Sequence, residues 1–79
     1  ELQKAHRTKS FICIWDDHEL ANNAYFGGAK NHQSNEGSWS DRSAAAVQAY
    51  FEWMPVRAKS TSEMIRSIKI GKDANFFFL

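Results

Sequence analysis

Apolar residues fall along this chain in three rhythms, and each predicts a different element. Phe11-Ile12-Cys13-Ile14-Trp15 is a continuous apolar run, β-branched and aromatic in character, which predicts a strand buried on both faces. Ala46, Val47, Tyr50, Trp53 and Met54 recur at spacings of three and four, which predicts a helix through Ser43 to Met54 with one apolar stripe facing a core. Ser40 is placed to cap that helix, Asp41 complements its dipole, and Pro55 closes it. Tyr50 and Trp53 read as packing residues with a polar edge. Met64 to Ile70 alternates in part and Ala74 to Leu79 is apolar again, so Gly71-Lys72-Asp73 between them predicts a β-hairpin.

Elsewhere the rhythm stops. Glu1 to Thr8 carries good helix formers with only Leu2 and Ala5 on a common face, and reads as the last turns of a helix. From Leu20 to Trp39 the chain is turn chemistry: Asn22-Asn23, Gly27-Gly28, Asn31, Ser34-Asn35 and Glu36-Gly37-Ser38. A loop of about twenty residues is unusual in a compact domain unless it is functional. Strand, long loop, helix and hairpin make a mixed α/β chain, or α+β as an isolated piece.

The chain has 79 residues, enough for one small domain. Domains of this size bury only about 60% of the surface their unfolded chains expose, so a part of something larger is a live reading. With 43% hydrophobic and 14% aromatic residues the composition is globular. The net charge of +1 selects neither nucleic acid nor a membrane surface. It conceals an uneven spread, however. Asp16 to Asp41 holds five acids against Lys30, and Val56 to Lys72 holds five bases against Glu63. An acidic locus suits a cation and a basic flank suits an anion, although ordinary solvated faces explain the basic half as well. The single cysteine excludes an internal disulfide, and Cys13, set among Phe and Ile, reads as a small buried hydrophobe. No apolar run reaches the ~18 residues of a membrane helix.

The candidate chemistry lies where the first apolar run stops. Trp15-Asp16-Asp17-His18-Glu19 puts three carboxylates and an imidazole just beyond the end of a predicted strand, where α/β proteins place reactive groups. Adjacent residues cannot all point one way, so a sharp turn is expected to bring one Asp and the His to a common point. There they would offer a hard oxygen and a borderline nitrogen to a metal.

That stretch, with Asn22-Asn23, Asn31-His32-Gln33, Arg42 with Ala44-Ala45, and Ala49-Tyr50-Phe51-Glu52-Trp53-Met54-Pro55-Val56-Arg57, resembles the alkaline phosphatase D (PhoD-like) family of metallophosphoesterases. The resemblance runs in order through nearly the whole chain, ending with Ile65-Arg66 and the Gly71 hairpin. It implies a secreted or periplasmic phosphomonoesterase and phosphodiesterase. It further implies a two-layer β core flanked by helices, phosphate ester substrates, and two or more divalent or trivalent metal ions, calcium, iron or other. Within the wider superfamily, Asp17 takes the place of a metal-ligating Asn. His18 takes that of the imidazole that contacts phosphoryl oxygens or the leaving group. Asp16 is either a direct ligand or an outer carboxylate that orients one. Glu19 reads as structural, and Asn22 and Asn23 either hydrogen-bond the site or build the turn. His32 reads as a surface histidine.

The superfamily's upstream Asp-containing blocks and downstream histidine pair have no counterpart here. Residues 1–79 therefore look like an internal fragment of a PhoD-like catalytic domain, catalytically incompetent alone. A small metal-binding or self-associating module is the alternative from another class. Nucleic-acid binding would rest on Arg57, Lys59, Arg66, Lys69 and Lys72, which are not interleaved with exposed aromatic platforms. The apolar runs at residues 11–15 and 76–79 lead us to expect self-association, or a loosely packed monomer that binds hydrophobic dyes.

Overall fold

A computed structural model describes residues 1–79, which divide into two units, Glu1–Ile14 with Met54–Leu79, and Trp15–Trp53. The mixture of helix and sheet agrees with the expected class: two α-helices, a 3₁₀ turn and a two-stranded antiparallel sheet.

In the first unit, helix α1 (Leu2–Thr8) is one of the expected elements. It buries no residue, and its end is marked by Thr8 Oγ1 donating to the Lys4 carbonyl at 2.8 Å. The hairpin is β1 (Arg66–Ile70) and β2 (Ala74–Phe78), in the register Arg66↔Phe78, Ile68↔Phe76 and Ile70↔Ala74. Gly71 opens the turn at φ 62°, a left-handed conformation that glycine adopts without a Cβ penalty. The first strand starts later than the pattern predicts, because Met64 closes a 3₁₀ turn (Thr61–Met64) and is buried there.

The apolar run Phe11 to Trp15 is not a strand, contrary to expectation. Phe11 and Ile12 are exposed, and Cys13, Ile14 and Trp15 are half-buried rather than buried on both faces. A strand is defined by a neighbour that takes its backbone hydrogen bonds, and the only sheet here is the hairpin. What ties this run down is Arg66. Its Nη2 donates to the Cys13 carbonyl at 2.8 Å and its Nη1 to the Met64 carbonyl at 2.9 Å, while the guanidinium lies 5.0 Å from the centre of the Phe78 ring. A groove of about 680 Å³ in this unit is lined by residues such as His6, Phe11, Arg57 and Ile68, and by none of the candidate site residues.

In the second unit, helix α2 (Trp39–Trp53) begins slightly before the predicted stripe. Its start is held by Ser38 rather than Ser40: the Ser38 carbonyl accepts from Arg42 N at 3.1 Å, and its Oγ faces Asp41 N at 3.5 Å. Ala46, Val47 and Phe51 are half-buried and Tyr50 is buried, as the period requires, and Tyr50 takes the Trp15 ring edge-on at 4.7 Å. Trp53 is 60% exposed and does not pack as expected, because on a helix it falls at the margin of a stripe centred on residues 43, 47, 50 and 54. The predicted long loop is present, running from the Asp16–His18 turn to Ser38.

Candidate functional site

The chain turns immediately after Trp15, and the turn is tied by its own side chains. Glu19 Oε2 accepts the Asp16 backbone N–H at 2.9 Å, so Glu19 serves the backbone, as expected of a structural carboxylate. Ala24 N donates to the Asp17 carbonyl at 3.1 Å, and Asn23 sits at φ 50°, a left-handed position that Asn tolerates better than most residues. Asn23 therefore builds the turn. Asn22 contributes its backbone, donating from N to Asn31 Oδ1 at 2.9 Å and accepting at its carbonyl from Lys30 N at 2.9 Å. Neither asparagine side chain joins the acidic cluster.

The turn brings together more than was expected. Not one Asp but both converge on the imidazole: His18 Nδ1 lies 3.0 Å from Asp17 Oδ1 and 3.5 Å from Asp16 Oδ2. One donor atom from each of Asp16, Asp17 and His18 lies within 4.8 Å of the others. The expectation failed because it assumed that neighbouring side chains diverge, as they do along a strand. In a tight turn the backbone direction changes at every residue, and three consecutive side chains can meet.

The charges reinforce one another. The Asp17 carboxylate raises the His18 imidazole above its ordinary value of 6.5, with Asp16 adding to the effect. The backbone N–H of Asp17, then its side chain, holds the Asp16 carboxyl below its ordinary 3.8. All three residues are exposed. As a donor set, two carboxylates and an imidazole fit a hard or borderline cation in an open site, with coordination positions left for water or substrate oxygens. The same Nδ1 now hydrogen-bonded by the carboxylates is one of two ring nitrogens a metal could use, so binding there would displace a proton.

A second polar constellation escaped the sequence reading. His32 is half-buried rather than a surface histidine, with its ring 5.1 Å from that of Trp39 and its Nδ1 3.1 Å from Arg42 Nη1. A guanidinium only donates, so Nδ1 is the acceptor. Glu36 Oε1 is 3.9 Å from the same Arg42 nitrogen, and its Oε2 accepts Gln33 N. The signal that could have found this cluster is the spacing of Trp39 and Arg42, three apart on a helix and hence on one face.

Comparison with known proteins gives this geometry a context. A family model described as PhoD-like phosphatase matches residues 1–79. A protein of Bacillus subtilis (strain 168) named alkaline phosphatase D is 42% identical over 80 residues, covering 95% of this chain. The chain spans 14% of that relative's length. No solved structure matches.

Proposed function

The chain belongs to the PhoD-like phosphatase family, and on that premise we propose that it carries part of the catalytic centre of a metal-dependent phosphoric ester hydrolase. The observation that carries the proposal is the convergence of Asp16, Asp17 and His18 within 4.8 Å. Asp17, with Asp16 beside it, would hold the metal, which when bound would supply an activated hydroxide and charge neutralisation at phosphorus. His18 holds a proton in the field of the two carboxylates. Because Nδ1 donates to them, Nε2 is the ring nitrogen left to meet a phosphoryl or leaving-group oxygen, and it donates when the ring is doubly protonated. Asn22 and Asn23 hold the turn that aims these groups. Phosphomonoesters and phosphodiesters are the proposed substrates, and a secreted or periplasmic location is proposed from family likeness. No helix is long and apolar enough to cross a membrane.

The two adjacent carboxylates, with the imidazole beside them, are one ligand segment, whereas a site of two or more metals draws on several. The 79 residues alone are therefore proposed not to turn over substrate, and activity to belong to a longer protein containing them. In that protein, Asp17→Ala should lose metal and activity together, whereas His18→Ala should lose turnover by about 10²–10⁴-fold with metal retained. Hydrolysis of p-nitrophenyl esters measured beside metal content decides between these roles. Full metal loss in the His18 variant would overturn them.

A second reading, self-association without catalysis, is favoured by one observation: Phe76, Phe77 and Leu79 are 49%, 68% and 93% exposed on and beyond β2. An uncharged apolar edge of this kind invites strand pairing. Sedimentation of Phe77→Lys beside the parent chain tests it. Association should fall with the added charge, and an unchanged distribution of species would exclude β2 as the contact.

A further inference from the structure

Two segments of the long loop are joined at a point that the candidate site does not itself contain. Asn31 Oδ1 accepts the backbone N–H of Asn22 at 2.9 Å, and the neighbouring Lys30 N donates to the Asn22 carbonyl at 2.9 Å, so both backbone groups of Asn22 are held. Two residues on, Ala24 N closes onto the carbonyl of Asp17. On the other side, residue 32 is fixed to helix α2: Arg42 Nη1 donates to His32 Nδ1, and Trp39 takes the His32 ring. Trp39 Nε1 also donates to the Phe26 carbonyl at 3.2 Å. The loop is thus gripped by the first turns of α2 at Phe26 and His32. From His32 the chain leads back to Asn31, whose hydrogen bond reaches Asn22, two residues before the Ala24 that closes the Asp16–His18 turn.

We propose that Asn31 is a positioning residue for the Asp16–Asp17–His18 site, a link, beside the Trp15–Tyr50 ring contact, through which α2 fixes the turn that brings the three donor atoms together. The inference rests on the metal-site reading for its functional meaning, but its structural content stands apart from it. An exposed turn of three charged residues gains little from burial, so its shape depends on the few backbone groups that are tied. Of these ties, Glu19 to Asp16 and Ala24 to Asp17 lie within the turn. Asn31 is the side chain that connects it to the remainder of the loop. A polar amide at this position needs only its oxygen, since the bond is accepted at Oδ1. Aspartate can therefore replace it and alanine cannot.

The test uses the longer protein that contains these residues, takes Mn²⁺ as probe and has one arm that needs no metal. In the metal-free protein, Asn31→Ala should speed amide exchange at Ala24 as well as at Asn22, and Asn31→Asp should restore protection at both. With Mn²⁺ followed by electron paramagnetic resonance, wild type should bind and Asp17→Ala should not. Asn31→Ala should bind about tenfold more weakly, the loss typical when an outer residue that orients ligands is removed, and Asn31→Asp should recover the affinity. If Asn31→Ala exposes Asn22 alone and leaves Ala24 exchange and Mn²⁺ affinity unchanged, the proposal is overturned. If wild type binds no Mn²⁺ while Ala24 loosens in Asn31→Ala, the metal reading fails and the positioning of the turn by Asn31 stands.

Discussion

The hairpin and the long loop both lack a substantial core, yet they are held together in different ways. Across the two units the buried apolar side chains are Ala21, Tyr50 and Met64. The hairpin relies on repetition: five cross-strand pairs in one register, with Arg66 opposite Phe78 at one end and Ile70 opposite Ala74 at the turn. The loop has no repeat. It relies on single side chains aimed at single backbone groups, Glu19 at Asp16, Asn31 at Asn22, Glu36 at Gln33 and Trp39 at Phe26. In a ladder, each bond is aligned by its neighbours, so damage spreads. In a set of separate ties, damage reaches only the segments that the broken tie joins. Chemistry that needs one particular arrangement of three side chains is better served by the second kind of scaffold, in which each bond can be placed independently.

The sharpest way to break this contrast is at Gly71. Its φ of 62° is one that a β-branched residue resists, and Gly71→Val would cost about 1–2 kcal/mol through contact of Cβ with the backbone. Nothing else lies near enough to relieve or worsen it. A two-stranded hairpin is at best marginally stable by itself, so this penalty should remove amide protection along all of β1 and β2 rather than near the turn alone. Protection of Asn22 and Ala24 should persist. Gly71→Asn, which tolerates the left-handed region, should be milder. Loss confined to residues 70–74, with Arg66 and Phe78 still protected, would show that the hairpin is not a cooperative ladder.

How far each region was legible in the sequence follows from the same difference. Helix α2 and the hairpin are set by local periodicity and by one glycine at a turn, and both are present as the pattern predicts, with α2 starting earlier and β1 later than expected. The run Phe11 to Trp15 has the composition of a strand, but strand formation needs a partner, and composition does not say whether one is in reach. Trp53 was misplaced for a simpler reason: a three-residue spacing from Tyr50 carries it round to the edge of a stripe, and a wide apolar face was assumed. The acidic turn stood out as a candidate for chemistry from its residue types. Its convergence was not, because no periodicity governs side-chain directions in a turn. Asn31 and Arg42 stood within motifs whose family likeness was evident, yet their partners, Asn22 N–H and His32 Nδ1, are fixed only by the path of the loop.

The smallest effect, and the most direct probe of the loop, is the titration of His18. The Asp17 carboxylate 3.0 Å from Nδ1 stabilises the imidazolium, so the midpoint seen by NMR should lie above the ordinary 6.5. Asp17→Asn should bring it back toward that value, and Asp16→Asn should move it less, since Asp16 is the more distant partner. The sign of the linkage follows. A group whose pKa is raised on folding adds stability below its unfolded value, and the contribution disappears as pH rises through the folded midpoint. Asp16 is lowered on folding, so its contribution is complete above 3.8 and disappears as pH falls through its folded value. The turn is therefore best held between about pH 3.8 and 6.5, where both contributions are complete. All three side chains are exposed, so salt should weaken the effect, and 0.5 M NaCl should draw the His18 midpoint down. A His18 midpoint at or below 6.5 in low salt would mean that the three side chains do not converge in solution, and the loop's single ties would then not hold the site they surround.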